Sequence, residues 1–312
     1  MEEYKNQRTA YGKTLVEMGA EDGRIVCLDA DLGNSTMGSL FKKAYPERYF
    51  EMGIAEADML SAAAGLSLTG LIPFANSFAV FCAGRAFDQI AQTIAIGGLN
   101  VKICGSSAGL SDFGDGATHQ SIDDIAIMRV IPNMTVICPA DANEAAQATR
   151  AAAKINGPVY LRINRNDYEN VTTADSVFEV GKPTVLRDGN TAVVFACGIM
   201  CSLALKAAEA LAEEGISVKV VNVSTIKPLN AKLIEELAGD CKAVITAEEH
   251  SIIGGLGSAI AEALRHTGKP IEFVGVNDCF GCSAHNYQEL MEEYGLTAAH
   301  IAEAVRDILK NR

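Results

Sequence analysis

The 312-residue chain is 49% hydrophobic and 21% charged, contains no Trp, and carries a formal net charge of −13. That length fits two domains of ordinary size. The acidic balance argues against nonspecific nucleic-acid binding, and no apolar run reaches the length of a bilayer span.

The polar start, Met1-Glu2-Glu3-Tyr4-Lys5, lacks the apolar core of a secretory leader. The nine Cys are scattered and odd in number. Cys27, Cys104, Cys138 and Cys197 fall in apolar strands and read as small buried hydrophobes, so a reducing cytoplasm is the expected setting.

In chain order, the pattern predicts a helix over 6–19 and a strand over 24–28. Another strand ends before Glu56, and an Ala/Leu-rich buried helix runs over 57–69. Further helices are expected over 83–96 and 141–154, with strands over 101–104, 135–138 and 159–163. Asp141 followed by Glu144 has the spacing of an N-cap and its capping-box partner. Periodicity fades between 166 and 190, where a linker is expected. A second alternating series follows, with strands over 191–197, 218–223 and 243–247 and helices starting near 202, 230 and 256. A last pair of helices ends at Lys310, with Thr297 as an N-cap. Apolar strands alternating with helices predict an α/β chain of two consecutive domains, each a mainly parallel sheet flanked by helices.

The chemistry-bearing residues begin with Glu56. An acid at the mouth of a buried helix is costly without a partner. Just downstream lie Pro73-Phe74-Ala75-Asn76-Ser77-Phe78-Ala79-Val80-Phe81 and Arg85-Ala86-Phe87-Asp88-Gln89. One buried acid followed by an aromatic wall suits a flat, basic heterocycle. Taken singly, Glu56 also reads as a dipole-stabilised helix start, and each Phe as ordinary core.

These segments resemble the pyrimidine-binding domain of the transketolase family of thiamine-diphosphate enzymes. Gly109-Leu110-Ser111-Asp112-Phe113-Gly114-Asp115-Gly116-Ala117-Thr118-His119-Gln120 is similar to the transketolase segment ending Asp-Gly-Pro/Ala-Thr-His-Gln. The closing Tyr294-Gly295-Leu296-Thr297 fits that family too. The resemblance implies that Glu56 activates the aminopyrimidine, that Phe81 stacks on it with Phe78 beside it, and that the third aromatic position falls near Gly84. It implies that Asp115 and His119 orient a sugar, and that Arg8, Ser35 and Arg165 hold its distal anion. Ser107 stands in the substrate site where transketolases usually carry His, and Gly114 replaces a usual Glu. A sulfonate or a branched sugar phosphate is therefore conceivable beside a simple sugar phosphate.

The resemblance covers only the family's last two domains, divided as 1–170, a linker over 171–190, and 191–312. Gly114-Asp115-Gly116 lacks the Asn-Asn pair of the family's metal motif. The expected reading is the small subunit of a split transketolase. Thiamine diphosphate would be shared with an N-terminal, diphosphate-binding partner subunit that also holds Mg²⁺, in a heterotetramer. Rival readings are a 2-oxo-acid dehydrogenase beta subunit, a deoxyxylulose-phosphate synthase half, or a noncatalytic assembly subunit. The glycine-rich 248–258 segment reads as structural, and Cys279-Phe280-Gly281-Cys282 as incidental.

Overall fold

Seven strands assemble into the first sheet of this computed structural model, which describes residues 5–310. They are β1 (Ile25–Asp29), β2 (Tyr49–Glu51), β3 (Ile72–Phe78), β4 (Lys102–Ser106), β5 (Thr135–Ile137), β6 (Val159–Arg162) and β10 (Thr225–Lys227), in the order β10-β5-β6-β4-β3-β1-β2. All neighbours are parallel except β10 and β5. Strands β1, β3, β4 and β6 are buried along their whole length, as expected when helices cover both faces. Those helices are α1 (Gln7–Glu21), α2 (Gly33–Thr36), α3 (Gly38–Ala44), α4 (Glu56–Leu68), α5 (Asp124–Val130) and α6 (Ala142–Lys154).

The second sheet has five strands, in the order β12-β11-β8-β9-β7. They are β7 (Thr184–Arg187), β8 (Ala192–Ala196), β9 (Val218–Asn222), β11 (Ala243–Ser251) and β12 (Ile271–Val276). Only β7 runs antiparallel. Its helices are α7 (Met200–Glu213), α8 (Ala231–Ala238), α9 (Leu256–Leu264), α10 (Tyr287–Glu293) and α11 (Ala298–Lys310). The chain is therefore α/β, with two mainly parallel sheets, as its periodicity predicts.

Three local expectations differ. The helix expected over 83–96 is wound more widely, as π-helical turns over Phe81–Arg85 and Gln89–Ala95. Asp141 does cap α6, accepting from Glu144 N at 2.9 Å. Glu144, however, does not close a capping box. Its carboxylate accepts from Ala140 N, one residue before the cap, and from Asn222 Nδ2 and Ser224 Oγ, across to the second half of the chain. The 171–190 segment is strapped onto α6, with Val171 N and Thr172 N donating to Asp141 Oδ2, and it contains β7. The sheets thus meet through β10, which leaves the second series to pair with β5.

Candidate active site

The parallel strands of the first sheet point their C-terminal ends at one edge, where α/β folds gather ligands. Chain leaving β2 reaches Glu56, the first residue of α4. Chain leaving β3 reaches Phe81 and Arg85. The short helix α2 after β1 carries Ser35, and the loops after β4 and β6 carry Ser107 and Arg165.

Glu56 is 3% exposed. Its oxygens accept from Arg85 Nη1 at 3.2 and 3.3 Å. Phe78 and Phe81 lie nearly parallel, with centroids 6.0 Å apart and planes 18° apart. His119 stands edge-on to both, at 6.3 and 5.3 Å. The fold therefore brings together Glu56, both phenylalanines and His119. The Arg85 guanidinium lies 4.1 Å over the Phe81 ring. Sequence analysis left Arg85 without a role; its one signal was a cation four residues beyond Phe81.

His119 and Asp115 belong to the 109–121 loop, which the second half of the chain holds. Gly109 and Ser121 pair through their backbones at 2.7 and 3.0 Å. Leu110 N donates to Glu249 Oε1 at 2.7 Å, and Asn164 Nδ2 to Glu249 Oε2 at 3.1 Å. Gly109 has φ +68°, and a Cβ there would stand 2.4 Å from the Glu249 carboxyl carbon, so only glycine fits. Gln120 Nε2 donates to Cys282 O at 2.8 Å. His119 Nδ1 shares a hydrogen bond with Thr118 Oγ1, and Asp115 is exposed. Sequence analysis reads Glu249 only as part of the glycine-rich 248–258 segment, beyond the strand expected over 243–247, whereas β11 continues to Ser251 and carries it.

Burial pushes the Glu249 carboxyl up to about 7, against the opposing pull of Arg162 and of the Tyr287, Leu110 and Asn164 donors. The protonated form is favoured by folding. Its stabilising contribution is full below pH 4.5, the ordinary value, and is lost as pH rises through about 7. The shift corresponds to about 3 kcal/mol. Glu249→Gln should flatten that part of the stability profile, as urea-unfolding midpoints across pH 4.5–8 would reveal. A profile parallel to the wild type would exclude Glu249 as its source.

Beyond the aromatic pair lies a positive corner. Arg8 Nη1 donates to Ser35 O at 3.0 Å. Burial and the nearby Arg165 push the Arg8 guanidinium below its ordinary range. Arg165 pairs with the buried Asp112 and stands 5.8 Å over Phe78. The structure thus brings Arg8, Ser35 and Arg165 together and adds Asp112, which sequence analysis did not single out. Arg8 Nε is buried without a hydrogen-bond partner among the described residues. Ser107 follows β4. It has φ +51°, and its buried Oγ has no partner among the described residues.

Comparison with known proteins fixes the family. Residues 3–170 match the transketolase pyrimidine-binding domain, and residues 181–301 the transketolase C-terminal domain. The chain belongs to the transketolase family. A transketolase C-terminal section of Methanocaldococcus jannaschii is 44% identical over 98% of this chain and 97% of that one. The 6-deoxy-6-sulfo-D-fructose transketolase subunit SqwH of Clostridium sp. (strain MSTE9) is 41% identical over 98% and 95%. A solved split-gene transketolase, described as an inactive β4 tetramer, is 48% identical, with TM-score 0.89 and 98% of each chain covered. Human transketolase is 35% identical over 97% of this chain but only 49% of its own length.

Membership in the transketolase family implies thiamine diphosphate, and the residues present fit its ring. A buried carboxylate lies beside stacked aromatic rings, with a cation already seated between them. Among the described residues no three His, Cys, Asp or Glu side chains gather as a metal site. The glycine-rich start of α9 is filled from within. Glu248 accepts from Leu256 N and Gly257 N at 2.6 and 2.7 Å, which leaves those helix-end donors satisfied. Cys279 and Cys282 are exposed free thiols, while the other seven Cys are buried. No helix among the described residues is long and apolar enough to cross a membrane.

Proposed function

We propose that this chain is the C-terminal subunit of a two-component transketolase that moves a two-carbon ketol unit from a ketose phosphate or sulfonate to an aldose phosphate. The observation that carries this reading is one sheet edge holding a buried carboxylate, a parallel aromatic pair, an edge-on His and two paired arginines. Thiamine diphosphate, when bound, supplies the nucleophilic carbon and the electron sink for carbon–carbon cleavage.

The chain's own residues divide the remaining tasks. Glu56 holds the proton shared with the ring nitrogen, from a setting that keeps water out. Phe81 and Phe78 fix the plane of the ring. His119, beside those rings, donates to or accepts from the sugar near its carbonyl, and Asp115 accepts from a hydroxyl. Arg8 and Arg165 offer fork-like donors to the distal anion, with Ser35 beside them. Asp112 steadies Arg165 and offsets part of the charge of the two arginines. Ser107 offers a hydroxyl rather than a cation. That change, together with the 41% identity to a sulfosugar transketolase subunit, supports a sulfonate as well as a phosphate donor. The diphosphate and Mg²⁺ are assigned to an N-terminal partner subunit in a heterotetramer, a reading supported by the inactive β4 tetramer of the 48% identical split-gene relative.

Reconstitution tests this. The chain alone should show no ketol transfer; adding the diphosphate-binding subunit, thiamine diphosphate and Mg²⁺ should restore it. Transfer by the chain alone would defeat the proposal. In the reconstituted enzyme, Arg8→Ala should raise KM about tenfold or more for anionic sugars, and little for their uncharged counterparts. Equal changes for both would make Arg8 structural.

A further inference from the structure

The Arg85–Glu56 contact deserves a role of its own. Glu56 is buried, yet the group bonded to its carboxylate is the half-exposed Arg85. The same guanidinium lies 4.1 Å over Phe81. It is a planar, nitrogen-edged cation that stacks on an aromatic face and donates to a carboxylate. Those are the features by which a flat basic ring would be recognised at the same two residues. Both cannot occupy that place together.

Backbone geometry explains how Arg85 arrives there. A straight α-helix sets residue i+4 back over residue i. The Phe81–Arg85 turn is π-helical, with wider winding that changes the angle at which a side chain leaves the axis. Position 84 is Gly, so no side chain there screens Phe81 from Arg85. The chain's guanidinium covers an aromatic face that a third ring could have flanked.

We propose that Arg85 is a built-in surrogate for the cofactor ring. It neutralises the buried Glu56 and covers Phe81, and it must swing away before an aminopyrimidine can take its place. Its half-exposed side chain can turn outward to solvent. Arg85 thereby sets cofactor affinity as a competitor, not as a ligand. This inference rests on the thiamine-diphosphate reading of the site.

The test is the dissociation constant of thiamine diphosphate, measured calorimetrically on the reconstituted subunit pair with Mg²⁺. Arg85→Met keeps length and packing but offers no donor and no charge. An ion pair with one exposed partner and a cation–π contact each contribute modestly, so their removal should tighten binding about tenfold. Arg85→Lys keeps the charge but loses the planar stack, and should fall between Met and wild type. Tighter binding separates competition from a structural role, since a damaged site binds more weakly. Unchanged or weaker binding in Arg85→Met would overturn the surrogate role and leave the thiamine reading standing. Failure of the wild-type pair to bind thiamine diphosphate at all would overturn both.

Discussion

Glu56→Gln should lower kcat of the reconstituted enzyme by about a thousandfold while leaving subunit assembly intact. The amide has nearly the shape of the carboxylate, so the start of α4 should keep its packing. It cannot hold and return a proton at the ring nitrogen, and proton transfer by a positioned side chain accounts for roughly 10²–10⁴ in rate. Burial makes the substitution informative, because at 3% exposure water has little room to substitute for the missing group. The Gln variant should keep a sedimentation profile like that of the wild type, so that lost turnover cannot be traced to lost assembly. A kcat within about threefold of wild type would remove Glu56 from the chemistry.

The same residue shows how far the sequence could be read. A carboxylate at the mouth of an Ala/Leu-rich helix announces burial and demands a partner, and both features are present. Nothing local named Arg85 as that partner, because the pairing depends on a π-helical turn 29 positions along the chain. Periodicity predicts helix over 83–96 but cannot separate a period of 3.6 from a wider one over so few residues. The strand β3 was hidden for a different reason. Pro73 lacks the N–H of a ladder donor and argues against an inner strand, yet it sits between β1 and β4, opposite Val26.

Contacts between the two halves were the least legible. Asp141–Glu144 has the spacing of a capping box, and the cap forms, but Glu144 reaches back to Ala140 N rather than to the cap residue's own N–H, and it also holds Asn222 and Ser224. Local spacing fixes which groups lie within reach; it does not fix which of two satisfied arrangements a distant strand makes available. Glu249 is similar. It falls inside the glycine-rich 248–258 segment, past the expected end of the strand, and only the assembled fold sets it under Gly109. The anion corner was legible only as three separated positions, Arg8, Ser35 and Arg165. Asp112, which neutralises one of them, lay inside a segment read for its His.

Asp124→Asn should destabilise the chain by about 3–5 kcal/mol, the usual cost of removing one member of a buried ion pair. Arg162 Nε donates to both Asp124 oxygens at 3.1 and 2.9 Å, with side-chain exposures of 4% and 0%. Tyr160 adds a hydrogen bond to Asp124 at 2.8 Å. The amide fills the same space and leaves the buried guanidinium charge without its directly bonded counterion. Arg162→Met in the same chain should recover much of the loss, because an apolar side chain of similar length has no charge to desolvate. Urea-unfolding midpoints of the two single variants and the double variant measure that coupling. A cost below about 1 kcal/mol for Asp124→Asn, or simple additivity in the double variant, would defeat the argument. The consequence reaches the site, because Arg162 Nη2 also donates to Ser121 O and Glu249 O. Those groups pin the 109–121 loop at its C-terminal end and from beneath. Loosening them frees the segment that presents Asp115 and His119, so Asp124→Asn should also raise KM for the sugar at temperatures well below its unfolding.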